Sequence, residues 1–383
     1  MGVELKPRTE AELASLIRDT EAPFAIVGTG TKRNLGRPVE ATAMLSLARF
    51  TGIRLYEPEE LILEAGAATP LAEIEAAIAA ENQQLAFEPP DLSALLGSAH
   101  SGTVGGMLAC NLSGPRRIKA GAARDHVLGI TGVSGRGEAF KAGARVVKNV
   151  TGYDLPKLMA GSYGTLAALT TITLKVLPKP ETEETLVIEG LSDADAVNAM
   201  SRAMQSSCEV SGAAHVPDRG TYLRLEGIAP SIAYRRDKLA QLLQGKTTVL
   251  SGAASRAQWK QIRDVAMFSG AKQRLVWRLS VAPSEAPGVV AKIKEQIDVR
   301  HFYDWAGGLI WLDVPPTEDA SATVIRSAIG TGHAMLIRAP EDIRARVDVF
   351  QPQAPALAAL SARVKESFDP KHLLNPGRMY RGV

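Results

Sequence analysis

Val146-Val147-Lys148-Asn149-Val150-Thr151-Gly152-Tyr153-Asp154-Leu155-Pro156-Lys157-Leu158-Met159, continued by Gly161-Ser162-Tyr163-Gly164-Thr165-Leu166, reads as two tight turns on either side of a short helix. Its polar side chains gather at the turns, and glycine supplies the backbone freedom that reversals require. Upstream, Ser98-Ala99-His100-Ser101-Gly102-Thr103-Val104-Gly105-Gly106-Met107-Leu108-Ala109-Cys110-Asn111-Leu112-Ser113-Gly114 carries no formal charge. A surface loop of that length ordinarily holds more charge. Gly105-Gly106 at the opening of a short helix leaves main-chain N–H groups where a phosphate would sit. Neutral donors suit a pyrophosphate that is buried and not salt-bridged.

Further upstream, Gly28-Thr29-Gly30-Thr31-Lys32-Arg33-Asn34-Leu35-Gly36 directly follows the apolar run Phe24–Val27. Glycines here let successive amides converge on an anion, with Thr and Asn as additional donors. Two common phosphate loops are excluded. A dinucleotide fingerprint G-x-G-x-x-G needs glycine where Arg33 stands, and a P-loop needs a closing G-K-[ST]. Taken alone, an ordinary tight turn explains this loop equally well.

Taken together, the stretches resemble a known family. KNVTGYDLPKLMAGSYGTL is similar to the flavin-contacting segment of the vanillyl-alcohol-oxidase-type (PCMH-type) FAD-binding domain, and GTVGGMLACNLSG to its second pyrophosphate-contacting stretch. Phe368-Asp369-Pro370-Lys371-His372-Leu373-Leu374-Asn375-Pro376-Gly377-Arg378-Met379 resembles that family's C-terminal return to the flavin. Lys148 to Asp154 in particular resembles the FAD-binding subunits E of bacterial glycolate oxidase (glycolate dehydrogenase). The resemblance implies an α+β protein: a two-part PCMH-type FAD-binding domain at 1–178, an α+β cap domain with a mostly antiparallel sheet at 181–350, and a helix and tail at 351–383 returning to the flavin. It implies FAD contacts from Gly28, Gly30, Thr31 and Asn34 in the first loop. Gly102, Thr103, Gly105, Gly106, Asn111, Ser113 and Gly114 are implied in the second. Asn149, Thr151, Gly152, Tyr153, Asp154, Ser162, Gly164 and Thr165 are implied in the third, and Asn375 in the tail.

Two departures from the family pattern shape the functional expectation. Residues 28–36 hold no histidine for covalent attachment, so the FAD is expected to be non-covalent. No His-x-Gly-Asp-Gly-Asn-type metal motif occurs, and the six histidines show no ligand spacing. The expected role is therefore the FAD-binding subunit of a glycolate-oxidising complex, with glycolate oxidised to glyoxylate. A homologous FAD-containing catalytic subunit and a separate iron–sulfur subunit are the implied partners. No catalytic residue is assigned. Two alternatives stay open: a self-sufficient FAD-dependent 2-hydroxy-acid oxidoreductase, with Arg274, Arg278, His301 and Tyr303 as candidates, and a non-catalytic scaffold subunit.

Elements follow from local signals. Thr9 and Glu12 form a capping-box pair opening a helix to Arg18. Thr69-Pro70 is the expected N-cap and first turn of a helix to Ala80. Strands are expected at Phe24–Val27, Leu61–Ala65, Val127–Val133 and Thr171–Leu177. Pro178-Lys179-Pro180 reads as a linker. Beyond it helices (near Asp193–Met204, Ile232–Leu243, Ala257–Met267 and Val289–Ile297) alternate with strands (Thr185–Ile188, Tyr222–Leu225, Arg274–Leu279, Leu309–Asp313 and Ala334–Ile337), a pattern of an α+β unit.

Bulk composition excludes several classes. The 383 residues include 44 basic and 41 acidic side chains, a balance with no nucleic-acid or membrane-surface footprint. Two cysteines, Cys110 and Cys208, do not supply an iron–sulfur cluster. The uncharged runs Leu92–Pro115 and Leu158–Leu174 are too rich in Gly, Ser and Thr for bilayer spans. A cytoplasmic protein is expected, with membrane association through partners, and the N-x-[ST] matches at Asn111 and Asn149 are expected to stay unmodified.

Overall fold

The computed structural model describes residues 3–144, 153–243 and 245–382. The chain begins with a small parallel sheet in which Val3–Leu5 and Phe24–Val27 flank Ala43–Ser46. The helix Glu10–Arg18 covers it, capped by the Thr9 side chain, which accepts from the Glu12 amide. The reciprocal half of the capping box is displaced by one residue: Glu12 accepts from the Arg8 amide. An antiparallel five-stranded sheet follows, ordered Ile53–Glu57, Ile62–Gly66, Ala167–Lys175, Val127–Ser134, Ala139–Gly143. Its central strand Ala167–Lys175 is buried along almost its whole length.

From Thr182 onward the chain builds an eight-stranded sheet whose neighbouring pairs are all antiparallel. Helices Asp193–Gln205, Ala229–Leu243, Ala286–Lys294 and Ala322–Ile329 bury one face through Met200, Leu239, Ile293 and Ile325. Over the central strands the other face is buried as well. Ala214, Trp259, Phe302, Trp305 and Trp311 pack there against Leu35, Leu92, Leu95 and Leu96 of the first half. Burial on both faces explains why Leu309–Val314 is an unbroken apolar run apart from Asp313, with every residue buried.

Several expectations shift in detail. The helix expected from Thr69 begins at Leu71; the Thr69 hydroxyl donates to the Gly66 carbonyl and accepts from no N–H of the helix start. The Thr171–Leu177 strand runs instead over Ala167–Lys175, extended by its pairing with Val127–Ser134. The helix expected over Ala257–Met267 spans Ala253–Arg263, then a separate turn at Ala266–Phe268. The expected linker is partly tied down: Leu177–Pro178 pairs with Gln83–Gln84, and the Lys179 amide donates to Asn82. Among the described residues no helix is long and apolar enough to cross a membrane.

Candidate cofactor site

Four segments remote in sequence converge on one cavity of about 750 Å³. The strand Phe24–Val27 delivers the first, Gly28 to Asn34, which folds through Arg33 N–H to Gly30 C=O (3.2 Å) and Leu35 N–H to Lys32 C=O (3.0 Å). The second enters through Thr103, whose hydroxyl accepts from the Gly106 amide at 3.1 Å and caps the short helix Val104–Ala109. Gly105 sits so close to the strand end at Ala67 that its amide donates to the Ala67 carbonyl at 2.7 Å. A Cβ there would stand 2.6 Å from that oxygen, so the position takes no side chain.

The third segment is the Ser162-Tyr163-Gly164-Thr165 turn. Ser162 Oγ donates to Met159 C=O (2.8 Å) and Thr165 Oγ1 to Ser162 C=O (2.7 Å). Gly164 has φ of +71°, and a Cβ would lie 2.8 Å from Asn375 Nδ2. Asn375 belongs to the fourth segment, the tail. Its Oδ1 accepts from the Ile26 amide and its Nδ2 donates to the Tyr163 carbonyl, each at 2.8 Å. One amide side chain therefore fastens the strand Phe24–Val27 to the third turn.

Ten of the residues expected from the sequence line this cavity: Gly28, Gly30, Thr31, Asn34, Thr103, Gly105, Gly106, Ser162, Gly164 and Asn375. Gly102 lines an adjoining cavity of about 210 Å³ that shares Thr31 and Lys32 with the larger one. The others stand apart. Asn111 accepts from the Arg124 amide, Ser113 from the Ala123 amide, and the Gly114 carbonyl from Trp305 Nε1, all supporting roles in the turn behind the loop. Thr165 backs the third turn. Asp154 caps the helix Leu155–Met159, and the Tyr153 ring is exposed. Asn149, Thr151 and Gly152 lie outside the described residues.

Sequence reasoning passed over several wall residues. Lys32, Cys110, Tyr163, Arg344 and Arg378 all border the cavity. Arg378 stood inside the tail string that signals the return to the first loop. It donates to the carbonyls of Arg33 (3.3 Å), Arg37 (3.5 Å) and Lys32. Arg344 donates to the Gly36 carbonyl at 2.8 Å, and nothing in the sequence signalled it. Both guanidiniums hold loop carbonyls. Burial pushes the Cys110 thiol up, so it remains neutral at physiological pH.

The candidates for a hydroxy-acid site separate. Arg274 is bound to Asp313 and Asp298. His301 Nε2 and the Tyr303 hydroxyl both meet Asp193 Oδ2, at 2.9 and 3.1 Å, while His215 Nε2 lies 3.6 Å from Asp193 Oδ1. None of Arg274, Arg278, His301, Tyr303, Asp193 and His215 borders the cavity. The histidines that spacing left isolated thus pair off on one carboxylate. Among the described residues no group of three or more His, Cys, Asp or Glu is arranged to hold a metal. Arg278 differs: its guanidinium packs on Trp305, 5.0 Å from the ring centroid, and no ion pair engages it among the described residues. Burial pushes it down to about 10, with the Tyr163 hydroxyl acting on it from the cavity side.

The FAD expected from the resemblance is a long molecule with a diphosphate at its middle. The cavity falls within the roughly 300–1,000 Å³ typical of cofactor sites. Ile26, Val27, Met44, Leu47 and Leu169 give it an apolar bed, and the backbone comes bare to its edge at Gly105. These residues fit such a group.

Comparison with known proteins agrees. Residues 3–143 match the FAD binding domain family. The glycolate oxidase subunit GlcE of Escherichia coli is 34% identical over 94% of this chain and 93% of its own. The glycolate oxidase subunit GlcD of Bacillus subtilis is 32% identical over 48% of this chain and 38% of its own. In fold, substrate-bound p-cresol methylhydroxylase superposes with a TM-score of 0.73 at 16% identity, covering 98% of this chain and 88% of that one. With an end-to-end match at that identity, and with four segments shaped around a dinucleotide-sized cavity, the chain belongs to the GlcE family of FAD-binding glycolate oxidase subunits.

Proposed function

We propose that this chain holds FAD non-covalently and serves as an electron-carrying subunit of a glycolate-oxidising complex. The observation that carries the reading is the cavity itself, framed by the glycine turns and closed by Asn375, in a chain related to GlcE along its whole length. Gly28, Gly30, Thr31, Gly105 and Gly106 would face the diphosphate, and Ser162, Gly164 and Asn375 the flavin end. We assign residues 1–178 and 351–383 to holding the cofactor, and 181–350 to covering it.

When bound, FAD supplies a hydride acceptor that releases electrons one at a time. Oxidation of glycolate to glyoxylate removes a hydride from carbon and a proton from the hydroxyl, so a base must stand beside the substrate. The acid–base side chains on this cavity wall are Glu4, Lys32, Arg33, His100, Cys110, Tyr163, Glu341, Arg344 and Arg378. None is a histidine–carboxylate pair of the kind that takes a hydroxyl proton. The hydroxy-acid site is therefore assigned to a homologous partner of the GlcD type, and the electron exit to an iron–sulfur subunit, since two distant cysteines build no cluster. Such a complex would sit in the cytoplasm, at the membrane only through its other subunits.

One observation favours a second reading, a self-sufficient hydroxy-acid oxidoreductase. Among the described residues no ion pair engages the Arg278 guanidinium, which is buried near Tyr163 with Asp304 acting on it from further away. Anaerobic addition of glycolate or D-lactate to the purified yellow chain separates the two. The flavin band should persist with the chain alone and bleach when the partner subunits are present. Rapid bleaching of the lone chain would establish the second reading. Failure of the folded chain to take up FAD would end both.

A further inference from the structure

We propose that Lys32 is the counter-ion of the bound cofactor's diphosphate, its ammonium reaching from the first glycine loop across the second to the phosphate oxygens. This rests on the FAD reading above and adds a charge to a cradle that the sequence read as neutral.

Lys32 lines both cavities, as do its neighbours Thr31 and Leu96. Its Nζ lies 3.4 Å from Thr31 Oγ1 in its own loop. On the other side it runs over the second loop at two glycines: a Cβ would stand 2.7 Å from Nζ at Gly102 and 3.4 Å from it at Gly106. The absent side chain at Gly102 is what gives the ammonium its position. The first and second loops, both expected from the resemblance to contact the diphosphate, are thus spanned by one cation.

That cation has unused capacity. An ammonium has three donors, and Thr31 takes one. No carboxylate stands within ion-pair distance of Nζ among the described residues; Asp91, across the smaller cavity, acts on it from further away, as does Cys110. Two neighbouring cations on the wall are already engaged. Arg378 is taken up by the carbonyls of Lys32, Arg33 and Arg37, and Arg344 by that of Gly36. Burial lowers the affinity of Lys32 for its proton in the flavin-free protein. A half-buried ammonium without an anion is costly, and a phosphate oxygen between the loops removes that cost through charge-assisted hydrogen bonds.

The test is FAD titration of the full chain stripped of flavin, in Lys32→Met, Lys32→Arg and parent proteins, at low and high salt. Lys32→Met should bind FAD roughly 10- to 100-fold more weakly at low salt, as expected for loss of a charge-assisted bond. Its affinity should also depend less on salt than that of the parent. Lys32→Arg should recover most of the loss, and the melting temperature of the flavin-free Lys32→Met protein should be no lower than the parent's. FAD affinity unchanged in Lys32→Met, or weakened with the parent's salt dependence intact, would overturn the assignment while leaving the FAD reading in place. A parent that takes up no FAD would overturn the FAD reading itself.

Discussion

Gly164 shows how much can depend on one residue. Its φ of +71° and the 2.8 Å approach of Asn375 Nδ2 leave no room for a β-carbon. Gly164→Ala is expected to destabilise the protein by roughly 1–3 kcal/mol, from left-handed backbone strain and the displaced Asn375 bridge. Thermal unfolding and FAD titration of the same variant should show both losses. Asp304 is a second such position. It is buried, and desolvation pushes its carboxyl up to about 7, although the Trp305 amide at 2.7 Å favours the charged form. A carboxyl whose folded pKa is raised contributes stability that is full below its ordinary value near 3.8 and is lost as pH rises through about 7. The unfolding free energy of the flavin-free protein should therefore fall by an amount on the order of 4 kcal/mol between about pH 4 and 7, read by denaturant unfolding, and Asp304→Asn should flatten that slope. At this scale the glycines were legible because loop chemistry is local. Lys32 and Arg344 were not singled out by any local signal, because what matters about them is which loops they meet in three dimensions, while Arg278, a candidate from the sequence, does not border the cavity.

Among the secondary-structure elements, the turn after Phe87 and the strand Gly220–Gly227 are joined by a buried charge network. Glu88 accepts both Arg224 guanidinium nitrogens, at 2.9 and 3.0 Å, while Arg116 binds Glu226 at 2.6 Å and lies 3.4 Å from Glu88. The network joins the first half of the chain to the eight-stranded sheet, next to the apolar contact of Leu35 and Leu96 with Trp305. Glu88→Gln leaves Arg224 short of its carboxylate and should cost about 3–5 kcal/mol, read by denaturant unfolding. Burial raises Glu226, but Arg224 and Arg116 outweigh it and pull the carboxyl down to about 2. A depressed carboxyl contributes stability above its ordinary value of 4.5 that disappears as pH falls toward about 2. The acid limb of the stability profile should accordingly be shallower in Glu226→Gln over that window. Strands such as Leu309–Val314 were legible from continuous apolar runs. Gly212–Val216 and Arg300–Asp304 were not, because Gly-Ala-Ala-His-Val and Arg-His-Phe-Tyr-Asp show no strand alternation and become strands by pairing with each other and with Gly220–Gly227 and Leu309–Val314.

For the whole molecule, the decisive event is that the two ends of the chain meet. The Phe24 amide donates to Leu373 and the Asn375 amide to Phe24, so the tail runs beside the first strand that feeds the cofactor loop. Lys365 secures this closure from inside. Its ammonium is buried and saturated, donating to Asp369 (2.6 Å), Thr165 C=O (2.7 Å) and Leu374 C=O (3.0 Å). Thr165 follows Gly164 and Leu374 precedes Asn375, so one lysine holds both partners of the bridge at the flavin end. Lys365→Met would strand Asp369 among its remaining donors, the Leu373 and Leu374 amides, and should cost about 3–5 kcal/mol. Melting temperature and FAD affinity should fall together in this variant, whereas Lys32→Met should lower FAD affinity without lowering the flavin-free melting temperature. Measuring both quantities on both variants separates a cation that holds the protein together from one that waits for an anion. A Lys365→Met protein that lost stability but bound FAD as the parent does would show that the cofactor cavity does not depend on the closure of the chain's ends.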